Sequence, residues 1–313
     1  MWLKYGVSAD NALLGVEDVP SGKTNLTCLY CGGQLTAKKG KIKEHHFAHT
    51  NESCKPVASK QVPTLPLYDN FNIELSGKEL EELKVFWYNY GQGNYDIFVK
   101  PSLRLILSKL LVWNKQGYEF TNLGKIPVGA LSLALFNEVQ EPLISKKLSQ
   151  LEQAAERARL INSKHLPERI ADLRIYRAQY KRILENKLYF LEIKAGKKLL
   201  HKIGITKRSI AERVLEVQRD LMHHYKSVEV EVLDTWSHRG NVELYFKHRY
   251  QKFNYKIGTL TEYFKFNDVE LVLNDLRQMS KKVLTPVELQ LMQDSYTVTT
   301  CDSEALLQAD RTA

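Results

Sequence analysis

The sequence predicts an α+β protein: a small Cys- and His-rich module, a mixed middle region with a helical hairpin, and a carboxy-terminal domain of order β-β-α-β-α. Three observations predict it. Apolar residues recur at 4, 3, 4, 3 spacing from Ile144 to Ala158, the period of one helix face. Short apolar stretches at residues 188–193 and 228–233 have the length and Val/Ile content of strands. Cys28, Cys31 and Cys54 fall within the first 54 residues, while Cys301 stands alone near the end.

Taken in order, residues 1–60 form the Cys/His module. Residues 62–66 carry two prolines and read as an extended linker. Residues 67–142 mix apolar stretches with turn signals at Tyr90-Gly91-Gln92-Gly93-Asn94 and at residues 124–127, and read as a small α+β or winged-helix-like region. Residues 143–186 read as a helical hairpin connector. Ile144, Leu148, Leu151, Ala155 and Ala158 make its first stripe, Pro167 breaks the pattern, and Ile170, Leu173, Tyr176, Tyr180 and Ile183 make the second. Packing on a neighbour is the expected use of these stripes. The alternative is a coiled-coil arm that makes a homodimer, although two short segments rarely sustain the three or four heptads it wants. Residues 284–313 turn polar and are expected to fray.

Residues 187–283 form the carboxy-terminal domain. Residues 188–193 alternate well enough to be a strand, residues 194–198 turn at Gly196, and residues 199–205 return as a second strand. Thr206 or Ser209 N-caps the following helix, with Glu212 completing a capping box on Ser209. Ile210, Val214, Val217 and Leu221 form its apolar stripe. Residues 228–233 make a third strand, residues 242–253 a second helix and residues 263–266 a short strand-like segment.

Composition narrows the functional classes. The hydrophobic content of 43% and charged content of 26% are those of a globular protein. No apolar run approaches the roughly 18 to 20 residues of a bilayer span, and residues 1–7 lack the apolar core of a secretory signal. No membrane partner and a cytoplasmic location are expected. The net charge of +9 favours a polyanionic partner, because neutralised phosphates release counterions. Residues 187–226 concentrate that charge, with ten Lys/Arg against four acids.

Cys28-Leu29-Tyr30-Cys31-Gly32-Gly33 has the form of a metal knuckle, in which a tight turn brings two thiolates to one ion at about 2.3 Å. His45, His46, His49 and Cys54 follow, and closure of a four-coordinate site needs two of them. A structural Zn²⁺ is expected, since the segment otherwise has little core. The run from the knuckle through a basic hairpin (Lys38, Lys39, Lys41, Lys43) to His46-Phe47-Ala48-His49 resembles the amino-terminal module of competence-protein-CoiA-like proteins. The resemblance implies Cys28, Cys31, His49 and Cys54 as the ligands, with His46 as the alternative fourth.

In the carboxy-terminal domain Tyr189-Phe190-Leu191, then Lys202-Ile203-Gly204-Ile205-Thr206, then Arg213, then Glu243, resembles the GIY-YIG nuclease family over roughly 80 residues. The match is to the phage and bacterial branch whose second motif reads Lys-Ile-Gly-Ile-Thr, and a late signature of that branch matches Glu262-Tyr263-Phe264. The resemblance implies a DNA endonuclease with one Mg²⁺ or Mn²⁺ on Glu243, and phage defence or mobile-element biology as a setting. Each residue type suits phosphodiester hydrolysis. A carboxylate holds a hard cation, Arg213 clamps phosphate oxygens, Tyr189 orients or deprotonates the water, and Gly204 allows close approach. Lys202 stands where the second motif usually has tyrosine. His248 comes one step after the position where this branch often has histidine, which Lys247 takes, and Asn254, His223 and His224 are weaker candidates. Two alternatives therefore stay open: a catalytically silent DNA-binding or regulatory protein, and a repair or recombination factor acting on branched DNA.

Overall fold

The computed structural model describes residues 3–40, 44–59, 62, 63, 65, 75–91, 100–115 and 117–293. The amino-terminal elements are β1 (Tyr5–Val7), β2 (Leu13–Gly15), β3 (Gly22–Thr27), β4 (Gln34–Lys38), β5 (His46–His49) and α1 (Lys55–Ala58). Next come α2 (Gly77–Tyr90), α3 (Leu103–Leu107), β6 (Leu111–Asn114), β7 (Gly117–Phe120), α4 (Asn122–Lys125), α5 (Leu133–Leu160) and α6 (Leu166–Glu185). The last are β8 (Lys187–Ala195), β9 (Lys198–Thr206), α7 (Ile210–Met222), β10 (Val228–Ser237), α8 (Val242–Arg249), β11 (Asn254–Ile257), β12 (Leu260–Phe264), α9 (Val269–Arg277) and α10 (Pro286–Gln293). The chain is thus mixed α and β. It divides into two compact units, one of Met1–Leu65, Ser145–Lys181 and Leu284–Ala313, the other of Pro66–Ile144 and Arg182–Val283.

The first unit is built on an antiparallel sheet of order β2-β1-β3-β4-β5. Leu3, Tyr5, Leu26, Leu35 and Phe47 pack there with Ile175 and Ala178 of α6. Pro167 lies in the first turn of α6, where its missing N–H leaves no intrahelical bond unmade; the expected break is a helix start. Part of the expected linker is packed. Val62 and Leu65 are buried, and Gln179 accepts from the Leu65 N–H at 3.1 Å while donating to the Pro63 carbonyl at 3.1 Å. The expected polar tail is ordered over α10, where Leu291 is buried and Tyr180 donates a hydrogen bond to the buried Glu288. Residues 294–313 lie outside the described residues.

The second unit is built on a sheet of order β10-β8-β9-β12-β11. On one face Tyr189, Leu191, Ile193 and Leu200 meet Val217 and Leu221 of α7. On the other, Leu188, Phe190 and Ile203 meet Phe136 of α5, Val242 and Phe246 of α8, and Leu273 and Leu276 of α9. With both faces covered, residues 188–191 are all buried, so the run is continuously apolar where alternation was expected. Burying each of these large side chains is worth about 1.5 to 3 kcal/mol.

Several boundaries differ from the sequence reading. The first long helix starts at Leu133 and runs through Pro142, ten residues earlier than expected. The helix expected over residues 242–253 stops at Arg249, a short 3₁₀ turn fills Gln251–Phe253, and the strand expected at residues 263–266 is β12, paired with an unanticipated β11. In the middle region α2, α3 and the β6–β7 hairpin enclose a small core of Leu83, Phe86, Leu105, Leu110, Leu111 and Phe120. Gly124 there is a packing residue inside α4 and not a turn residue: a Cβ on it would meet the Leu110 carbonyl oxygen at 2.1 Å. Gln92, Gly93 and Asn94 of the other expected turn lie outside the described residues. Among the described residues no helix is long and apolar enough to cross a membrane.

Candidate functional site

The first unit gathers Cys28, Cys31, His49 and Cys54, whose ligand atoms all lie within 4.8 Å of one another. The knuckle is built by its backbone. The Cys28 N–H donates to Gly33 O at 2.8 Å, the Gly32 N–H donates to Cys28 O at 2.9 Å, and Gly32 takes φ +68°, which only glycine adopts without strain. The Gly33 N–H donates to Cys31 Sγ at 3.4 Å. A Cβ on Gly33 would press on both Cys31 Sγ and the His49 ring at 3.3 Å. His49 arrives at the end of β5, with Nε2 3.3 Å from Cys31 Sγ, and Cys54 arrives at the N-cap of α1, 3.9 Å from Cys28 Sγ.

A tetrahedral ion with sulfur ligands at about 2.3 Å spaces them about 3.8 Å apart, so the four form a group that could hold a structural metal such as zinc. The strand period explains which histidine joins. His46 and His49 are three apart on β5 and point to opposite faces, and His46 bonds the Glu44 carbonyl at 2.8 Å instead. Burial pushes the Cys28 thiol up to about 12 and raises Cys54 as well, so their thiolates need a nearby cation. His49 Nδ1 is buried without a hydrogen-bond partner, and burial lowers the His49 pKa, which favours the neutral ring a metal ligand needs.

The second unit gathers charge around the β8–β9 hairpin. Tyr189 stands opposite Gly204 in the ladder, and Lys202 lies two residues back on the same face. A Cβ on Gly204 would fall 2.2 Å from the Tyr189 hydroxyl oxygen, so glycine is what lets the ring cross the strand. The Ser209–Glu212 capping box fixes the first turn of α7. From there Arg213 reaches back, its Nε donating to Tyr189 Oη at 2.9 Å and its Nη1 to Glu216 at 2.6 Å. Tyr189 is fully buried. Burial raises its pKa, Arg213 opposes that, and Glu243 and Glu262 reinforce it.

Glu243 and Lys247 are one turn apart on α8. The Lys247 ammonium lies 3.0 Å from Glu243 Oε1 and 3.0 Å from Glu262 Oε1. Glu262 Oε2 accepts from Lys202 Nζ at 2.7 Å, and that ammonium also sits 4.7 Å over the Tyr263 ring. Burial pulls the Lys202 pKa down and Glu262 only partly offsets it. Burial would raise Glu262, but Lys202 and Lys247 outweigh it and hold the carboxyl at about 2. Burial likewise works against the charge of Lys247, and Glu243 and Glu262 more than offset it.

Tyr189, Lys202, Gly204, Arg213 and Glu243 thus come together, and His248 does not. One step beyond Lys247 turns His248 about 100° round the helix, where its Nε2–H donates to the Pro127 carbonyl at 3.0 Å beside Gly129. Asn254 is spent on the Thr261 carbonyl, and His224 packs against Gly258. Sequence reasoning named Lys247 and Glu262 without giving either a role in the site, and missed Glu216. Two of them carried a signal: Glu262 opens the Glu262-Tyr263-Phe264 run, and Lys247 follows Glu243 at the i,i+4 spacing of facing helix residues.

Residues 17–56 match the family described as competence protein CoiA, N-terminal domain, a match that contains the whole Cys/His group. No curated protein and no solved structure matches the chain.

Proposed function

We propose that residues 187–283 form a GIY-YIG-type nuclease domain, that the chain is a metal-dependent DNA endonuclease, and that Cys28, Cys31, His49 and Cys54 hold a structural Zn²⁺. One observation carries the nuclease reading. Arg213 donates to the Tyr189 hydroxyl at 2.9 Å across from Gly204, and Glu243 and Glu262 meet beside them on Lys247, 3.0 Å from each.

The donor set suits a hard divalent cation, because two carboxylates already flank a cationic group, the Lys247 ammonium. Glu243 would hold Mg²⁺ or Mn²⁺, which when bound neutralises phosphate charge and acidifies a bound water. The protein residues do the rest. Arg213 faces the phosphate with a guanidinium that stays charged. Tyr189, whose oxygen accepts from Arg213, keeps its proton, because burial and the two carboxylates hold its pKa above the ordinary value, and it orients the attacking water. Lys202 adds positive charge beside the developing phosphorane. The basic stretch of residues 187–226 supplies sequence-independent attraction to DNA.

The test is cleavage of linear, branched and single-stranded DNA with Mg²⁺ or Mn²⁺, alongside Glu243→Ala. Metal-dependent cleavage lost in the variant supports the reading, and a preference for branched DNA turns it toward repair or recombination. The full burial of Tyr189 and the lysine at position 202 favour a second reading, a DNA-binding protein without turnover. Salt-dependent binding with no Glu243-dependent cleavage would select it.

A further inference from the structure

Lys247 has a place of its own in this site. Its ammonium bridges Glu243 and Glu262 at 3.0 Å from each, and Glu262 is held from its other side by Lys202. The position between the two carboxylates is thus filled by a cation that belongs to the chain. Lys202, Lys247 and Arg213 set three positive charges against the two negative charges of Glu243 and Glu262. Glu216 is engaged by Arg208 and Arg213.

We infer that Lys247 is a built-in competitor for the divalent cation at Glu243, so that the cation binds weakly to the free protein and tightly only together with the phosphate backbone. The inference rests on the nuclease reading of the site. An incoming ion must either displace Lys247 from Glu243 or sit beside it against like-charge repulsion. A phosphate relieves this, because its oxygens pair with the displaced ammonium and add anionic ligands for the ion. Since binding free energies are linked, the ion must strengthen DNA binding by the same factor by which DNA strengthens ion binding. Lys247 acts on the ion through Glu243 and, once displaced, pairs with non-bridging phosphate oxygens; it takes no part in breaking the bond.

The experiment titrates Mn²⁺ into full-length, zinc-replete protein without DNA and follows the free ion by electron paramagnetic resonance. Lys247→Met keeps the stem and removes the charge, and should bind Mn²⁺ at least tenfold more tightly than the unaltered protein. Lys247→Arg keeps a cation and should stay weak, with circular dichroism confirming that both variants fold. Glu243→Gln added to Lys247→Met should abolish the gain. A second arm measures duplex affinity by fluorescence anisotropy at constant ionic strength, where Ca²⁺ should tighten binding by the unaltered protein and not by Glu243→Gln. Equal Mn²⁺ affinity in the unaltered protein and Lys247→Met, together with Glu243-dependent cleavage, overturns the competitor and leaves the nuclease reading standing. If neither Mn²⁺ binding nor cleavage responds to Glu243, the nuclease reading falls and the inference falls with it.

Discussion

The two candidate sites reach their geometry by opposite routes. The Cys/His group uses residues 28–54, short strands and one tight knuckle, and in the proposed reading its metal holds the local fold in place. The charged group uses residues 189–262, and there the fold holds the chemistry: β8 and β9 set Tyr189 against Gly204, α7 brings Arg213, α8 brings Glu243 and Lys247, and β12 brings Glu262. The first site has metal-binding residue types joined to a small core that includes Leu26, Leu35 and Phe47. The second has ordinary residue types on a sheet covered on both faces by aromatic and aliphatic packing. Losing a ligand should therefore undo structure in the first site, and losing a functional group should undo only activity in the second.

The sharpest way to break that comparison is Cys28→Ser. Structural zinc contributes on the order of 10 kcal/mol or more to small modules, so the variant should lose its metal and the hydrogen-exchange protection of β3, β4 and β5. Elemental analysis should find about one zinc per chain before the substitution. A metal-free protein with β3–β5 still protected would show that packing by Leu3, Leu35 and Phe47 suffices and that the two sites are built alike. Glu243→Ala is the matching test in the other unit. It should lower cleavage by about a thousandfold, the scale of removing a main electrostatic group, while leaving thermal unfolding, and DNA binding in the absence of divalent ions, near those of the unaltered protein. Tyr189→Phe should lower the rate by about a hundredfold and shift stability by about 1 kcal/mol, one hydrogen bond.

Gly204→Ala sharpens the comparison by placing a structural demand inside the functional site. The added methyl would overlap the Tyr189 hydroxyl, 2.2 Å away, and β9 has neighbours on both sides. Overpacking of this kind costs about 3 kcal/mol. The double variant Gly204→Ala with Tyr189→Phe should recover part of that loss, because the oxygen in the clash is gone. Equal stability of single and double variants, measured by denaturant unfolding, would break the link between glycine and hydroxyl.

How much of this was legible in the sequence follows from the same contrast. The metal group could be read because its ligands are close in sequence and chemically distinctive, and strand parity then decides between His46 and His49. The strands, the Ser209 cap and the α7 stripe could be read because they depend on local spacing. The start of α5 could not, because Pro142 looks like a boundary and is tolerated inside the helix. Glu262 and Lys247 could not be read as a bridged pair, because one is on β12 and the other on α8 and only β9–β12 pairing brings Lys202 beside them. His248 misled because spacing alone does not fix which way a helix faces. Pro127 and Gly129, far upstream, receive it.

The last predicted effect concerns the far face of the β8–β9 hairpin, where packing meets a titratable group with no functional assignment. His201 is buried and stacked at 13° on Phe190, and Phe266 lies 5.4 Å away between ring centres. Neither ring nitrogen has a hydrogen-bond partner, and the Glu192 carboxylate at 3.7 Å is beyond hydrogen-bond distance. Burial lowers the pKa to about 4. The sign then follows. The unfolded chain, titrating near 6.5, binds a proton that the folded domain resists, so the contribution of His201 is complete above about pH 6.5 and declines as pH falls toward 4. Between pH 7 and pH 5 the decline should be about 2 kcal/mol. His201→Phe keeps the aromatic stack, removes both orphan nitrogens and should flatten that part of the pH dependence. The measurement is hydrogen exchange of β8 and β9 amides across this range, which reads the second unit separately from acid release of metal in the first. The same pH slope in both proteins would mean that the sheet core yields to acid elsewhere, and that His201 is spectator to its stability.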